Sequence, residues 1–282
     1  MNKINKGGVE AMMQEEKTLV LMQIVAEATV QAAGRLALSY LTENKPLEIE
    51  TKGPQDFVTA VDKHVELLIR NRLRQAFPDH TILGEEFGLD KEGARVVWIL
   101  DPIDGTSNFM RHRPSWCVSI GATIEGKPAL GVIFDPINDE MFSAAVGRGA
   151  TRNGQPISVN QDTTLNKSVF GVGFTSGKSV AAHAQQISHI LDHGCEYRRF
   201  GSSAMMLAHV ADGRLDGYAD ARTSVWDVIA GLVLVREAGG VVQDFIESGA
   251  ESGSILAAAP GAAETASLLL AIDQQGGFER RV

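Results

Sequence analysis

Val96–Phe109 reads VVWILDPIDGTSNF. The apolar run Val96–Leu100 has the composition of a strand buried on both faces. It ends in two acids three residues apart, Asp101 and Asp104. Pro102 biases Asp101 toward extended backbone and removes the next amide donor. The chain then turns, so both carboxylates can converge on one point. Converging carboxylates repel unless something positive lies between them, and hard oxygen ligands of this kind suit Mg²⁺. Gly105 and Thr106 follow. Glycine lets the main chain approach a ligand closely, and a helix starting here would offer free amides to an anion. Carboxylate-held metal beside such amides and a hydroxyl is the composition of a phosphate-hydrolysis site, in which paired ions usually stand about 3.5–4 Å apart.

Working outward, three more acids sit at element ends beside apolar residues. Glu85, with Glu86, follows the short apolar stretch TIL. Asp227 lies in VWDVIAG, where the next turns are strongly apolar. Asp62 lies in VTAVD. One acid at a helix start is ordinarily a cap and dipole partner, and Asp227 alone is open between that reading and a ligand. The pair in DPID resists that account.

The rest of the chain predicts a mixed fold. Helical periodicity runs from about Leu19 to Leu41 after a polar opening. TKGPQDFV reads as a loop. Thr59–Phe77 reads as a helix with Val61, Val65, Leu68, Ile69 and Leu73 on one face and charges on the other. Three β-rich stretches from Ser115 to Ala145 predict an antiparallel meander, and GRGATRNGQPI a glycine-rich surface loop. From there strand and helix alternate: SVFGVGF, AAHAQQISHILDHG, EYRRF, SSAMMLAHVADG with Ser202 as N-cap, RLDGYAD, SVWDVIAGLVLVREAGG, GSILAAAP and a last helix from about Ala262 to Ile272. The switch predicts an α+β N-terminal part, residues 1–150, carrying the GEE and DPIDGT motifs, and an α/β C-terminal part, residues 151–282, carrying WDVIAG and the substrate pocket.

The 282 residues carry a formal net charge of -9 and are 44% hydrophobic. An acidic surface repels nucleic acid and anionic membranes, so neither is an expected partner. Cys117 and Cys195 form no metal spacing, and neither has an arginine six residues on, as a cysteine phosphatase loop requires. No signal segment and no membrane span is read, and a reducing, cytoplasmic location is the default expectation.

The motifs together resemble the inositol monophosphatase family of Mg²⁺-dependent, lithium-sensitive sugar phosphatases. DPIDGTSNF matches the family's first signature, WDVIAG followed by EAGG its second, and GEE (Gly84–Glu86) its upstream acids. The resemblance spans about Leu19 to Ile272 and implies a layered αβαβα sandwich and a homodimer. Position by position it implies two to three Mg²⁺ ions. Glu85, Asp101 and the Ile103 carbonyl would hold the first; Asp101, Asp104 and Asp227 the second; a third, weaker ion would share Glu85. Thr106 and Asp62 are placed like the pair that orients the attacking water, which gives them and Glu85 the catalytic roles. The Gly105 and Thr106 amides, with Asp104, resemble the phosphate cradle. Gly201 and Ser203 would line the substrate pocket. Asp220 stands where the family has an acid, commonly Glu, that meets inositol hydroxyls; here it is one methylene shorter. The implied reaction is hydrolysis of a small phosphate monoester by direct attack of water, with inositol monophosphate first and fructose bisphosphate, histidinol phosphate or a 3′-phosphonucleotide as alternatives. A regulatory binding protein on the same fold is the reading from another class.

GVGFTSGKS (Gly171–Ser179) fits neither a P-loop nor a dinucleotide fingerprint by spacing and reads as a strand-to-helix turn at the pocket rim. Arg111, His112 and Arg113 read as a solvated loop, and His209 as packing.

Overall fold

The computed structural model describes residues 6–43, 49–53, 56–174 and 178–275. Its strands are β1 (Ile49–Gly53), β2 (Asp56–Thr59), β3 (Thr81–Gly84), β4 (Gly88–Leu89), β5 (Val96–Asp104), β6 (Cys117–Ile124), β7 (Lys127–Asp135), β8 (Glu140–Ala145), β9 (Ala150–Arg152), β10 (Gln155–Ile157), β11 (Val169–Val172), β12 (Glu196–Arg198), β13 (Gly217–Ser224), β14 (Val241–Gln243) and β15 (Ser252–Ala258). Its helices are α1 (Lys6–Thr42), α2 (Ala60–Ala76), the single turn α3 (Thr106–Phe109), α4 (Val180–Asp192), α5 (Ser203–Ala211), α6 (Val225–Glu237) and α7 (Ala263–Gln275).

Eight strands form one sheet in the order β10-β9-β8-β7-β6-β5-β3-β4, and five form another in the order β12-β11-β13-β15-β14. Helices α1 and α2 cover one face of the larger sheet. Helices α5 and α6 fill the space between the sheets, and α4 and α7 cover the far face of the smaller one. The result is the expected five-layer αβαβα sandwich. The apolar run of β5 is buried as its composition requires: Trp98 and Leu100 face the core under α1 and α2, and Ile99 faces the core under α6.

Helix α6 is apolar all round because it lies between two sheets. It approaches the larger sheet so closely that a Cβ on Gly131 would stand 2.1 Å from the Ala230 carbonyl oxygen, and one on Gly121 2.4 Å from Ile229 Cγ2. Glycines on β6 and β7 thus set the depth of α6, and with it the position of Asp227 in its first turn.

Three readings of the sequence need correction. TKGPQDFV is mostly strand: Thr51–Gly53 belong to β1 and Asp56–Val58 to its antiparallel partner β2, and Pro54 and Gln55 lie outside the described residues. GRGATRNGQPI contains the hairpin β9–β10, turning on Asn153 and Gly154, which both have positive φ; an Asn-Gly pair is the residue preference of a tight hairpin turn. Strand β14 follows Gly240 where no strand was read. The charged side of α2 stands as read, and three of its residues, Asp62, Glu66 and Arg70, are buried. Helix α1 also reaches back to Lys6. Among the described residues no helix is long and apolar enough to cross a membrane.

Candidate active site

Strand β5 delivers the DPID acids to the edge of the inter-sheet layer. The Asp101 carboxylate accepts the Ile103 amide at 3.0 Å, a local turn that bends the chain between the two aspartates. The ladder to β6 breaks its register at the same place. Gly105 follows with φ of 99°, and a Cβ there would stand 2.9 Å from the Ser115 carbonyl oxygen. Glycine is therefore required by conformation and by space.

Five acids from four segments surround this turn. Burial pushes the Asp101 carboxyl well above the ordinary range, and the charges of Glu85, Asp104, Asp227 and Asp62 push it further. Burial raises Asp104 to about 6, against hydrogen bonds that hold its charged form. Those bonds come from Ser202 Oγ and the Ala204 amide, each at 2.6 Å. Burial, then Asp104, raises Asp227 to about 7. Its Oδ2 accepts from the Thr223 hydroxyl at 3.1 Å and from the Ser224 amide at 3.2 Å. Among the described residues no three acid, imidazole or thiol groups form a closed ligand set; Asp104 and Asp227 are each turned onto local donors. The donor chemistry nevertheless fits a hard divalent cation. Carboxylate oxygens and a main-chain carbonyl are what Mg²⁺ takes, and buried acids that raise one another's pKa are stabilised by positive charge.

Thr106 opens α3. Its hydroxyl lies 3.1 Å from Asp62 Oδ1 and 3.0 Å from the Ile103 carbonyl oxygen. Asp62 sits in the first turn of α2 and is buried. The two residues expected to act together are thus hydrogen-bonded across 44 residues of chain. The Glu85 amide donates to the Leu100 carbonyl at 3.2 Å, which sets Glu85 beside Asp101.

Most of the supporting contacts were not read from the sequence. Glu66 accepts the amides of Glu86 at 2.8 Å and Phe87 at 3.3 Å, and takes Arg70 Nε at 2.7 Å. Arg70 also reaches Asp90 and the Gly88 carbonyl. This buried pair holds the GEE loop on α2. Its i,i+4 spacing was visible but resembles any exposed helix pair. Asn108 Nδ2 donates to the carbonyls of Ser115 and Phe200, both at 2.7 Å, and so joins the DPIDGT loop to the loop of Gly201. Ser202 is the N-cap of α5 as expected, accepting the Met205 amide, and in addition holds Asp104.

The substrate-side residues divide. Gly201, with φ of 76°, and half-buried Ser203 lie beside this turn. Asp220 is buried and its carboxylate is committed to Lys178 at 2.6 Å. Lys178 comes from the GVGFTSGKS stretch, of which residues 175–177 lie outside the described residues. Arg111, His112 and Arg113 are exposed. His209 packs edge-on against Phe200.

A profile of the inositol monophosphatase family matches residues 19–275. The Nus factor SuhB of Xylella fastidiosa is 42% identical over 217 residues, 76% of this chain and 78% of that protein. The extragenic suppressor protein SuhB of Bartonella henselae superposes with a TM-score of 0.83 at 32% identity, covering 89% of this chain and 98% of that one. An inositol monophosphatase from Anabaena (Nostoc) sp. PCC 7120 superposes with a TM-score of 0.75 at 35% identity, covering 90% and 96%.

Proposed function

The chain belongs to the inositol monophosphatase family, and from that premise we propose that it is a Mg²⁺-dependent phosphomonoesterase acting on inositol monophosphate or a closely related small polyol phosphate. The observation that carries the proposal is the elevation of Asp101 by burial and then by the charges of Glu85, Asp104, Asp227 and Asp62, next to the Thr106–Asp62 hydrogen bond. Glu85, Asp101, the Ile103 carbonyl, Asp104 and Asp227 would hold two to three Mg²⁺ ions, which when bound polarise phosphoryl oxygens and lower the pKa of water.

The chain's own residues do the rest. The Gly105 and Thr106 amides receive the phosphate, and the left-handed Gly105 backbone lets them approach it. Asp62 accepts a hydrogen bond from the Thr106 hydroxyl, which leaves the threonine oxygen's lone pairs to accept a hydrogen bond from the attacking water; the proton the water gives up on attack goes in net to the departing alcohol. Water so held lines up against phosphorus and displaces the alcohol without a phospho-enzyme. Gly201 and Ser203 meet the alcohol. The test is a phosphate-release panel on inositol 1-phosphate, fructose 1,6-bisphosphate, histidinol phosphate and a 3′-phosphonucleotide. Release from inositol 1-phosphate that needs Mg²⁺ and falls with Li⁺ supports the reading. Preference for another ester overturns the substrate, and no Mg²⁺-dependent release overturns the reaction.

A second reading has one observation in its favour: curated relatives such as those of Xylella fastidiosa and Escherichia coli are named Nus factors. A regulatory role on this fold would survive Asp101→Asn in a complementation assay while hydrolysis stopped. Loss of both together favours the enzyme.

A further inference from the structure

Lys178 is 1% exposed, and its ammonium lies between two buried carboxylates, 2.6 Å from Asp220 Oδ1 and 2.9 Å from Asp273 Oδ2. A weaker contact runs to the Gly173 carbonyl at 3.4 Å. The other Asp220 oxygen accepts from the Tyr218 hydroxyl at 3.1 Å. That hydroxyl lies 3.0 Å from Ser203 Oγ. Tyr218 is fully enclosed and Ser203 half-exposed. A line of five polar side chains thus runs from α7, through the core, to the edge of the active site, where the Ser203 amide also donates to Asp104. The backbone is fitted to it. A Cβ on Gly173 would stand 2.4 Å from Asp220 Oδ2 and 2.9 Å from the Tyr218 hydroxyl.

The line has a direction. An ammonium only donates. The Arg222 amide also donates to Asp220 Oδ1 at 2.9 Å, and the Ala221 amide to Asp273 at 2.9 Å. Asp220 is thereby held as an acceptor. Tyr218 commits its one proton to Asp220, so its oxygen accepts from Ser203. Ser203 then points its proton inward and turns its lone pairs toward the pocket. We propose that Lys178, Asp220 and Tyr218 fix Ser203 Oγ as an acceptor for a hydroxyl of the substrate's alcohol, with Tyr218 a positioning residue for polyol specificity. Asp220 acts through Tyr218 instead of touching substrate. Its short side chain and its burial both follow from that role. The chemical class selected is an alcohol bearing a free hydroxyl near the ester. The proposal rests on the phosphomonoesterase reading.

The experiment compares Tyr218→Phe with the wild type on inositol 1-phosphate, glycerol 2-phosphate and 4-nitrophenyl phosphate, whose alcohol carries no free hydroxyl. Loss of one oriented hydrogen bond is expected to raise KM for a polyol phosphate roughly threefold to tenfold. The kcat should hold, and 4-nitrophenyl phosphate should change less in KM. Ser203→Ala should give the same selective change, and the double variant no more than either alone, since the residues act as one unit. Parallel changes on all three esters, or additive effects, overturn the proposal, and so does unchanged polyol KM in a folded Tyr218→Phe protein. Should Tyr218→Phe fail to fold, Ser203→Ala alone decides by the same comparison. Wild-type protein that turns over 4-nitrophenyl phosphate and neither polyol phosphate overturns this proposal and leaves the reaction class standing. Protein that turns over none of the three overturns the reaction class itself.

Discussion

The protein buries two groups of carboxylates and balances them differently. Asp220 and Asp273 close on the ammonium of Lys178. Around Asp101 the charges that act most strongly are those of four other acids. A buried charge is tolerated when a partner compensates it. The first group contains its partner in the chain, so it is a structural unit. The second has no such partner among the charges named for it, which supports the proposed cation site. The same residue type in the same layer of the fold therefore answers to two purposes, and the nearest lysine tells them apart.

Removing one charge from each group, an acid from the cluster around Asp101 and the lysine from the other, sharpens this most. Asp101→Asn is expected to lower phosphate release by about 10³-fold, roughly 4 kcal/mol of barrier. Asn can still accept the Ile103 amide, so the turn survives, and without metal the variant should melt higher than the wild type at pH 8. A lower melt would mean that Asp101 is not under like-charge repulsion. In the other group Lys178→Met is expected to destabilise the fold by about 3 kcal/mol, because it strands two buried acids, as urea unfolding can measure. A fully stable Lys178→Met protein would break the contrast.

Mg²⁺ itself is the next test. The folded pKa values of Asp104 (about 6) and Asp227 (about 7) lie above the ordinary aspartate value of 3.8. Folded protein thus holds protons that the unfolded chain has lost. The stability this confers is fully present below about pH 4 and is lost as pH rises through 6 to 7. On the proposed reading, Mg²⁺ bound to these acids replaces those protons. At a concentration one hundred times its Kd it adds about 2.7 kcal/mol. The Mg²⁺-induced rise in Tm should therefore be larger at pH 8 than at pH 5. Equal shifts at the two pH values would separate metal binding from these acids.

The sequence exposed the cation-requiring group far better than the balanced one. Asp101, Asp104, Gly105 and Thr106 are consecutive or nearly so, and each residue type has one chemical reason to stand there. From the residues themselves Asp62, Glu85 and Asp227 stood singly, and only the family resemblance joined them to the motif. Lys178, Asp220 and Asp273 are spread over 95 residues of chain, so no local pattern could join them. The lysine was met only as part of a phosphate-loop spacing that failed. Glu66 and Arg70 were missed for a related reason: an ion pair on one helix looks solvated until a loop is laid over it. The layers were legible because hydrophobic periodicity is local. The β9–β10 hairpin was legible too, in Asn153-Gly154, but a glycine-rich composition hid it.

A smaller titration runs against that of the acids and makes the comparison quantitative. Burial, then the charge of Arg214, lowers the His209 pKa to about 4. Its folded value thus lies below the ordinary 6.5, so the unfolded chain binds the extra proton. The stability this contributes is present above about pH 6.5 and is lost as pH falls through 4. In the metal-free protein the acids and His209 therefore pull the stability curve in opposite directions across the same pH range. Replacing His209 by Gln keeps a polar, neutral group against Phe200 and removes the titration. The variant should lose on the order of 2 kcal/mol less than the wild type between pH 7 and 4, by urea unfolding. The acid contribution is then still opposed by the other histidines whose pKa values burial lowers, His80, His183 and His189. A His209→Gln protein that retains the wild-type slope would place the acid-side loss of stability elsewhere and leave the opposition between the two titrations without support.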